Sequence, residues 1–362
     1  MTSLDICGQR LVNQHLATQK VGKASEMVRL LGAVQAQDYL GAKWGLSQRT
    51  RGETDATIEM EISDGAILRT HVLRPTWHFV APADIRWMLA LTAPRVKGIL
   101  SHYDRTLGID QTVLRRSRAT IIKSLKGGNH LTRTQLAEAL TRGGVETDGS
   151  GGQRLARLVM HAELDAVICN GPRSGKQFTY ALLDERVPPT KELQRDEALR
   201  ELATRYFATR GPATTDDFAW WSGLTKADAK NAVRFAESSL EHETIGKRTY
   251  WFPPTRSAKL KSPLVRLLPN YDEYFIGHKD RSAMHVHLLA SGVTKIPTAL
   301  FGHLLTIDGQ VVGVWERTST AKSATIRLRP LTSLNRTARS AIATQVTRFA
   351  DFLGTPVRLE IA

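Results

Sequence analysis

The sequence predicts an α+β protein in which three short helical units, each closed by a β-ribbon, precede a β-rich C-terminal module. Helical periodicity followed by a hairpin-like stretch recurs three times along the chain. After about residue 255 the pattern changes to alternating, strand-like segments. The chain has 362 residues, which is too long for one typical core and suits two to four compact units.

The first unit extends from about residue 8 to residue 80. Apolar residues at helical spacing predict a helix around 24–34, and a second helix is predicted near 55–63. Residues 68–80, LRTHVLRPTWHFV, are typical of extended chain. The unit is therefore predicted to pass from helices into a short ribbon.

The second unit begins at 130–140, where Thr132 and Thr134 are candidate N-caps of a helix. Residues 151–167 then place apolar side chains along one face of a second helix. The tip Gly-Pro-Arg-Ser-Gly-Lys, 171–176, is followed by alternating apolar residues, which predicts a hairpin.

The third unit repeats the pattern, with a helix at about 196–208, another through Ala229, Val233, Ala236 and Leu240, and a hairpin-like stretch at 246–252. Three-helix units followed by a two-stranded ribbon are typical of winged helices, in which the second helix of the helix-turn-helix enters a DNA groove. Helical packing units with no nucleic-acid role are the alternative.

The C-terminal module is predicted to start after Pro253-Pro254. Strands are predicted at 309–315, 324–330 and 355–362, with one helix between the last two. We expect four parts, at 1–125, 126–190, 191–255 and 256–362: three winged-helix units and a β-rich module.

The chain is strongly basic. It has 50 Lys and Arg against 35 Asp and Glu, a net charge of +15 and an isoelectric point near 10. The basic residues are spread along the whole chain, which favours a folded surface that follows a phosphate backbone. The alternative is a basic protein kept soluble by its charge.

Metal, disulfide and membrane signals are weak. Cys7 and Cys169 lack metal-ligand spacing, and the 11 histidines form no H-E-x-x-H pattern, so we expect neither a disulfide framework nor a metal or cofactor. No apolar run approaches the ~20 residues that span a bilayer. The predicted compartment is the cytoplasm, at the nucleoid.

Gln35-Ala36-Gln37 is the first candidate for chemistry. Residues two apart lie about 200° apart on an α-helix, but they project from the same face, about 7 Å apart, in extended chain. If the helix ends near Val34, the two amides can therefore point into one cavity. They are neutral donors and acceptors that can hold a water and a cationic or polar substrate. Most glutamines, however, are surface or capping residues.

Six other residues are candidates for DNA binding. Four lie in the extended run of the first unit and two lie at the hairpin tip of the second; they are His71, Arg74, Thr76, His78, Arg173 and Lys176. Histidines in such runs are more often structural hydrogen-bonding residues, and the tip residues could equally belong to a solvated hairpin. Asp272 and Glu273 could serve acid–base chemistry, or could orient a loop through tyrosine and arginine contacts.

The sequence resembles the winged-helix family that contains the AlkZ and YcaQ DNA glycosylases. The similarity covers nearly the whole chain in the family's order. It is carried by GAVQAQ (32–37), RPTWHFV (74–80), GGQRLARLVMHAELDAVICNGP (151–172), GPATTDDFAWWSGLT (211–225), RLLPNYDEYFIGHKDR (266–281) and VVGVWER (311–317).

The resemblance implies three tandem winged helices and a C-terminal β-barrel that form a C-shaped channel for duplex DNA. It implies removal of N7-alkylated purines, and members of the family can unhook interstrand crosslinks. The catalytic motif of the AlkZ-like branch is Gln, an apolar residue and Gln, whereas the YcaQ-like branch has Asp third. Gln35 and Gln37 match the AlkZ-like branch.

The leading hypothesis is a monofunctional DNA glycosylase, expected to act as a monomer on double-stranded DNA with alkylated purines. A second hypothesis, from a different class, is a non-catalytic winged-helix DNA binder such as a regulator or damage sensor. The three repeated helical units and the net positive charge support these two hypotheses equally. A third is an enzyme that uses the Asp272 region on another substrate.

Overall fold

The structure is a computed structural model that describes residues 3–18, 21–149, 151–190, 192–254, 260–292, 302–320 and 322–362. It has mixed α and β structure, as predicted. The chain divides into two compact units, and each is built from separate stretches. Unit 1 comprises Met1–Glu59, Leu199–Trp221 and Thr225–Ala362, and unit 2 comprises Met60–Ala198 and Ser222–Leu224.

The first half of the chain alternates helices with short strands. In chain order its elements are α1 (Ser3–Asn13), α2 (Ala24–Leu31), β1 (Ala33–Gln35), α3 (Tyr39–Ser47), α4 (Asp55–Ser63), β2 (Leu68–His71), β3 (Trp77–Val80), α5 (Ile85–Thr106), α6 (Gln111–Leu125), β4 (Leu131–Thr132), α7 (Arg133–Arg142), α8 (Gln153–Leu164), β5 (Ile168–Asn170), β6 (Thr179–Leu182) and α9 (Leu183–Arg186).

The second half changes from helices to strands. Its elements are α10 (Arg195–Arg210), α11 (Thr215–Ser222), α12 (Lys226–Ala236), β7 (Glu241–Ile245), β8 (Arg248–Phe252), β9 (Val265–Leu268), α13 (Glu273–Ile276), α14 (Val286–Ala290), β10 (His303–Ile307), β11 (Gln310–Ser319), β12 (Ala324–Pro330), α15 (Arg336–Leu353) and β13 (Val357–Ile361).

Strands β9 to β13 form one sheet in unit 1, in the order β13-β12-β11-β10-β9. All neighbours are antiparallel except β12 and β13, which α15 connects as a parallel pair. The predicted barrel is wrong: among the described residues β9 and β13 are the edges of an open sheet. A parallel pair needs a crossover connection, and a helix that supplies it covers one face of the sheet.

An aromatic cluster joins this sheet to α3 within unit 1. The rings of Trp44 and Phe349 lie 4.9 Å apart, and Phe349 also packs 5.9 Å from Trp315 of β11. Both indoles are fully buried, and each donates to a backbone carbonyl of β9, at Leu267 and Leu268. Burial of large aromatic side chains with their N–H groups satisfied stabilises this part of the core.

Most of the third predicted repeat lies in unit 1, since only its residues up to 198 and residues 222–224 belong to unit 2. Helices α10, α11 and α12 precede an antiparallel ribbon of β7 and β8. Helix α12 ends at Ala236, earlier than the predicted 240, and a short 3-10 turn follows it. Part of the predicted module boundary, residues 255–259, lies outside the described residues.

Unit 2 contains the second predicted repeat in the order α6, β4, α7, α8, β5, β6. The strands form an antiparallel sheet, β4-β6-β5, and β5–β6 is the predicted hairpin. Thr132 is the N-cap of α7 and forms a capping box with Gln135, whereas the predicted cap Thr134 lies inside the helix. A core that includes Leu136, Leu155 and Leu158 packs the three helices together.

The extended run of the first unit forms two antiparallel strands, β2 and β3, in unit 2. The link between them includes Leu73 with a φ of +63°. Helix α5 follows, and at 22 residues it is the longest helix in the described part of the chain. None of the helices formed by the described residues is long and apolar enough to cross a membrane.

Candidate active site

The Gln-Ala-Gln motif lies where a strand passes into a helix in unit 1. Helix α2 ends at Leu31, three residues before the predicted end, because Gly32 takes a φ of +77°. Glycine adopts this conformation with no side-chain penalty and commonly terminates helices. Strand β1 follows, so the predicted extended conformation is confirmed for Gln35.

The two glutamines differ in exposure. Gln35 is the last residue of β1 and is only 6% exposed, whereas Gln37 is exposed. Asp38 follows as the N-cap of α3, and its Oδ1 accepts from the Gly41 backbone N–H at 3.0 Å. The motif is therefore held between a strand end and a helix start; that both amides face one cavity remains a prediction.

Glu273 holds the strand that carries Gln35. Its Oε1 accepts a hydrogen bond from the Gln35 backbone N–H at 2.8 Å. Its Oε2 accepts from Arg210 Nη2 at 2.6 Å and from Trp221 Nε1 at 2.9 Å. Glu273 is 1% exposed, and a buried carboxylate requires such charged and hydrogen-bonding partners.

Arg210 extends this contact to the other end of β1. Its Nη1 donates to the Leu31 carbonyl at 2.8 Å and its Nη2 donates to the Ala33 carbonyl at 2.9 Å. The guanidinium also lies 4.3 Å from the ring of Trp221 and is fully buried. Arg210, Trp221 and Glu273, which we call the β1 clamp, thus fix the backbone from Leu31 to Gln35.

The neighbouring carboxylate, Asp272, has an arginine partner of its own. Arg49 donates to its two oxygens at 2.9 and 2.7 Å, and Arg49 also donates to Gln14 at 2.8 Å. Asp272 in turn accepts from the Tyr274 backbone N–H as the N-cap of α13. Both carboxylates of this pair are buried and engaged, which favours the loop-orienting interpretation over acid–base chemistry.

A neutral histidine packs against the clamp. His278 is fully buried, and burial together with the charge of Arg10 lowers its pKa well below the ordinary value. Its Nε2 lies 2.9 Å from the Arg210 carbonyl and its Nδ1 lies 3.2 Å from the Tyr274 carbonyl. Because the ring is neutral, it adds no positive charge to the surroundings of Arg210. A neutral ring can donate to only one of the two carbonyls.

The two predicted histidines occupy buried positions in unit 2. His71 is 4% exposed; its Nδ1 pairs with Glu163, and its ring lies 4.5 Å from that of Trp77. His78 is fully buried, and its Nδ1 donates to the Thr76 carbonyl at 2.9 Å. These contacts fit the structural interpretation, and their role in DNA binding remains a prediction.

The other predicted DNA-binding residues are more accessible. Arg74 and Thr76 are half-buried in the link between β2 and β3. Lys176 is exposed at the hairpin tip, and Arg173 is half-buried, donates to the Lys176 carbonyl and lies 5.2 Å from the Phe178 ring. The structure therefore brings Arg173 and Lys176 together at the tip.

Sequence reasoning missed Arg210 and Trp221, and for Glu273 it left open acid–base chemistry or loop orientation without identifying β1 as the segment that Glu273 holds. The Gln35–Glu273 contact joins residues 238 positions apart, and Arg210 reaches Leu31 across 179 positions. No local pattern reports such a contact. The only local signal was Gly32, which marks the end of α2.

Comparison with known proteins decides the family. The family model described as DNA glycosylase AlkZ-like matches residues 28–352. This chain belongs to the AlkZ-like DNA glycosylase family. The matched stretch includes Gln35, Gln37 and all three residues of the β1 clamp, so the resemblance noted in the sequence is confirmed.

Two comparisons extend this result. A curated relative from Streptomyces sahachiroi, named an interstrand DNA cross-link repair glycosylase, is 22% identical over 318 residues, 85% of each chain. The solved structure of the DNA glycosylase AlkZ from Streptomyces sahachiroi superimposes with a TM-score of 0.76 and 21% identity, covering all of both chains. The chain therefore shares the fold of that structure.

Proposed function

We propose that this protein is a monofunctional DNA glycosylase that hydrolyses the N-glycosidic bond of N7-alkylated purines in duplex DNA. The observation that carries the proposal is the Gln-Ala-Gln motif of an AlkZ-like family member, placed at the end of a strand whose backbone is fixed by buried charges. Fixed polar groups stabilise a transition state without reorganising during the reaction.

The alkylated base needs little assistance from the protein to leave. Alkylation at N7 already makes the purine a cation and a good leaving group, so no strong general acid is needed. What remains is to stabilise oxocarbenium character at the sugar and to aim a water at C1′. Neutral amide oxygens can do both, and they avoid the cost of an unpaired carboxylate in a water-poor site.

The unequal exposure of the two glutamines supports different roles. Gln37 is exposed, so it can meet the substrate, and we assign it to positioning the water. Gln35 is buried and its backbone is held by Glu273, so we assign it to orienting the water or the sugar. Because no lysine nucleophile is used, the product is an abasic site without strand cleavage.

The substrate range includes bulky adducts in this proposal. The Streptomyces sahachiroi relative is named for interstrand cross-link repair. A crosslinked base cannot easily leave the duplex, so a channel that accepts it in place is required. The C-shaped channel and the three tandem winged helices belong to the same proposal, and the order α6, β4, α7, α8, β5, β6 supports one winged helix. The divisions at 125, 190 and 255 remain predictions.

Excision of N7-methylguanine from a duplex tests the proposal. The wild-type protein should generate abasic sites, detected as strand breaks after heating in alkali and absent without it. Gln35→Ala and Gln37→Ala should each lower the single-turnover rate by orders of magnitude. Gln153→Ala, at an exposed glutamine that begins α8, is the matched control and should excise normally.

Three outcomes separate this proposal from the non-catalytic alternative, which the net charge of +15 also supports. No excision of any N7 adduct, from methyl to crosslink, would remove the enzyme hypothesis. A fixed preferred DNA sequence found by selection, with affinity unchanged by both glutamine substitutions, would instead favour a regulator. Preference for lesions over sequence would count against the regulator.

A further inference from the structure

Helix α8 of unit 2 is covered by its own unit. Winged helices commonly place this helix in a DNA groove. Here Arg157 donates to Asp104 of α5 at 2.6 and 2.8 Å, and His161 Nε2 lies 2.9 Å from the same carboxylate. Glu163 pairs with His71 of β2, and both are buried. The polar side of α8 is thus engaged in packing.

A cavity of about 320 Å³ lies beside this helix, between the start of α7 and the β5–β6 hairpin. Its volume is at the lower end of the ~300–1000 Å³ range of small-molecule sites. All of its lining residues belong to unit 2, and they include Arg69, Trp77, Arg133, Glu163, Lys176, Phe178 and Tyr180.

One wall of the cavity is a stack of planar groups. The Arg69 guanidinium lies 4.4 Å from the ring of Trp77 and 4.6 Å from the ring of Phe178. Both rings are half-buried, and each has a second planar neighbour: His71 lies 4.5 Å from the Trp77 ring, and Arg173 lies 5.2 Å from the Phe178 ring. Such aromatic surfaces stack any nucleobase, because every base has a π-face.

The cavity also carries an excess of positive charge. Arg69, Arg133 and Lys176 face one carboxylate, that of Glu163. Arg133 is the first residue of α7, whose N-terminus adds a positive dipole end. Burial raises the pKa of Tyr180 to about 12, so its hydroxyl remains protonated and does not add negative charge.

We infer that this cavity binds a single undamaged nucleotide whose base has left the duplex stack, while a crosslinked base stays in the duplex. The base takes the place of Arg173 on the Phe178 ring, beside Trp77, and its phosphate contacts Lys176 and Arg133. An aromatic platform beside cationic side chains is the arrangement that holds single-stranded nucleic acid. The inference rests on the proposed function in one respect, namely that DNA is the substrate.

Fluorescence of an undamaged duplex with one 2-aminopurine in a single-nucleotide bulge tests the inference. Wild-type protein should bind this duplex more tightly than the fully paired one and should quench the 2-aminopurine. Phe178→Leu, which keeps an apolar side chain but removes the ring, and Trp77→Ala should each weaken bulge binding by about 5- to 100-fold. Trp220→Phe, at an exposed tryptophan of unit 1, should bind normally.

The same duplex with an abasic site in the bulge separates base stacking from phosphate binding. We expect it to bind no better than paired DNA. Equal affinity for the abasic and 2-aminopurine bulges, or unchanged binding by Phe178→Leu with a normal circular dichroism spectrum, overturns the inference. Because no damaged base is present, failure of excision leaves this readout intact, and loss of the bulge preference leaves the excision test intact.

Discussion

The β1 clamp and the unit 2 cavity use positive charge in opposite ways. In the clamp, Arg210 is fully buried and paired with Glu273, so the charges cancel and the geometry of β1 is fixed. In the cavity, three cations face one carboxylate and Lys176 remains exposed. Buried pairs resist salt, whereas exposed cations are screened by it. A fixed backbone of β1 therefore suits the proposed role of the two glutamines, and an excess of positive charge suits the proposed binding of a nucleotide.

Removing the negative partner of the clamp should have the largest effect. Glu273→Gln leaves Arg210 buried without a counter-charge, and breaking a buried pair in this way costs about 3–5 kcal/mol. Urea unfolding followed by tryptophan fluorescence measures the loss. Glu360→Gln, which breaks the more exposed pair with Arg327, is the control and should change the free energy of unfolding by at most about 1 kcal/mol. Equal losses for the two variants would contradict the clamp.

Removing a single donor from the clamp should have a smaller effect with a specific signature. Trp221→Phe keeps an aromatic ring beside Arg210 but removes the indole N–H that donates to Glu273. Loss of a hydrogen bond to a charged group costs about 1.5–3 kcal/mol. If the clamp positions Gln35, kcat for excision should fall while KM stays unchanged.

The neighbouring tryptophan provides the control for that variant. Trp220 donates to the Ile276 carbonyl at 3.2 Å rather than to Glu273, and it is 39% exposed. Trp220→Phe should therefore leave kcat unchanged. A comparable fall in kcat for both variants would show that the effect comes from general destabilisation and not from the position of β1.

The contrast between the regions also explains what the sequence could predict. The hairpin tip with Arg173 and Lys176 follows from a local Gly-Pro and alternation pattern, and the extended conformation of Gln35 follows from the spacing of two like residues. The clamp joins segments more than 170 positions apart, so no local pattern contains it. The barrel was implied by the family resemblance; strand alternation predicts a β-rich module but does not report whether its sheet closes.

Stability should fall in mild acid because of His278. Its folded-state pKa lies well below the ordinary value of 6.5, so the unfolded chain binds a proton that the native state does not. The stabilisation is complete above pH 6.5 and is lost as the pH falls below that value. The loss amounts to about 1 kcal/mol over the first pH unit below 6.5. His278→Gln, whose amide can donate to the Arg210 carbonyl, should reduce the slope measured between pH 7 and 5.5; His285, whose pKa burial lowers to about 4, supplies part of the slope that remains. An unchanged slope would mean that the ring is not buried and neutral.

The smallest effect should come from removing Lys176, the exposed cation of the cavity. The salt dependence of DNA affinity should reveal this effect. Lys176→Ala removes one charge near a phosphate, so the slope of log affinity against log salt should fall by about 1. Unfolding should be unaffected, because the side chain is exposed at the hairpin tip. The 2-aminopurine quenching at saturation should also be unchanged, since Trp77 and Phe178 remain. An unaltered salt slope would show that the phosphate does not lie near Lys176. Excess positive charge would then no longer distinguish the cavity from the clamp.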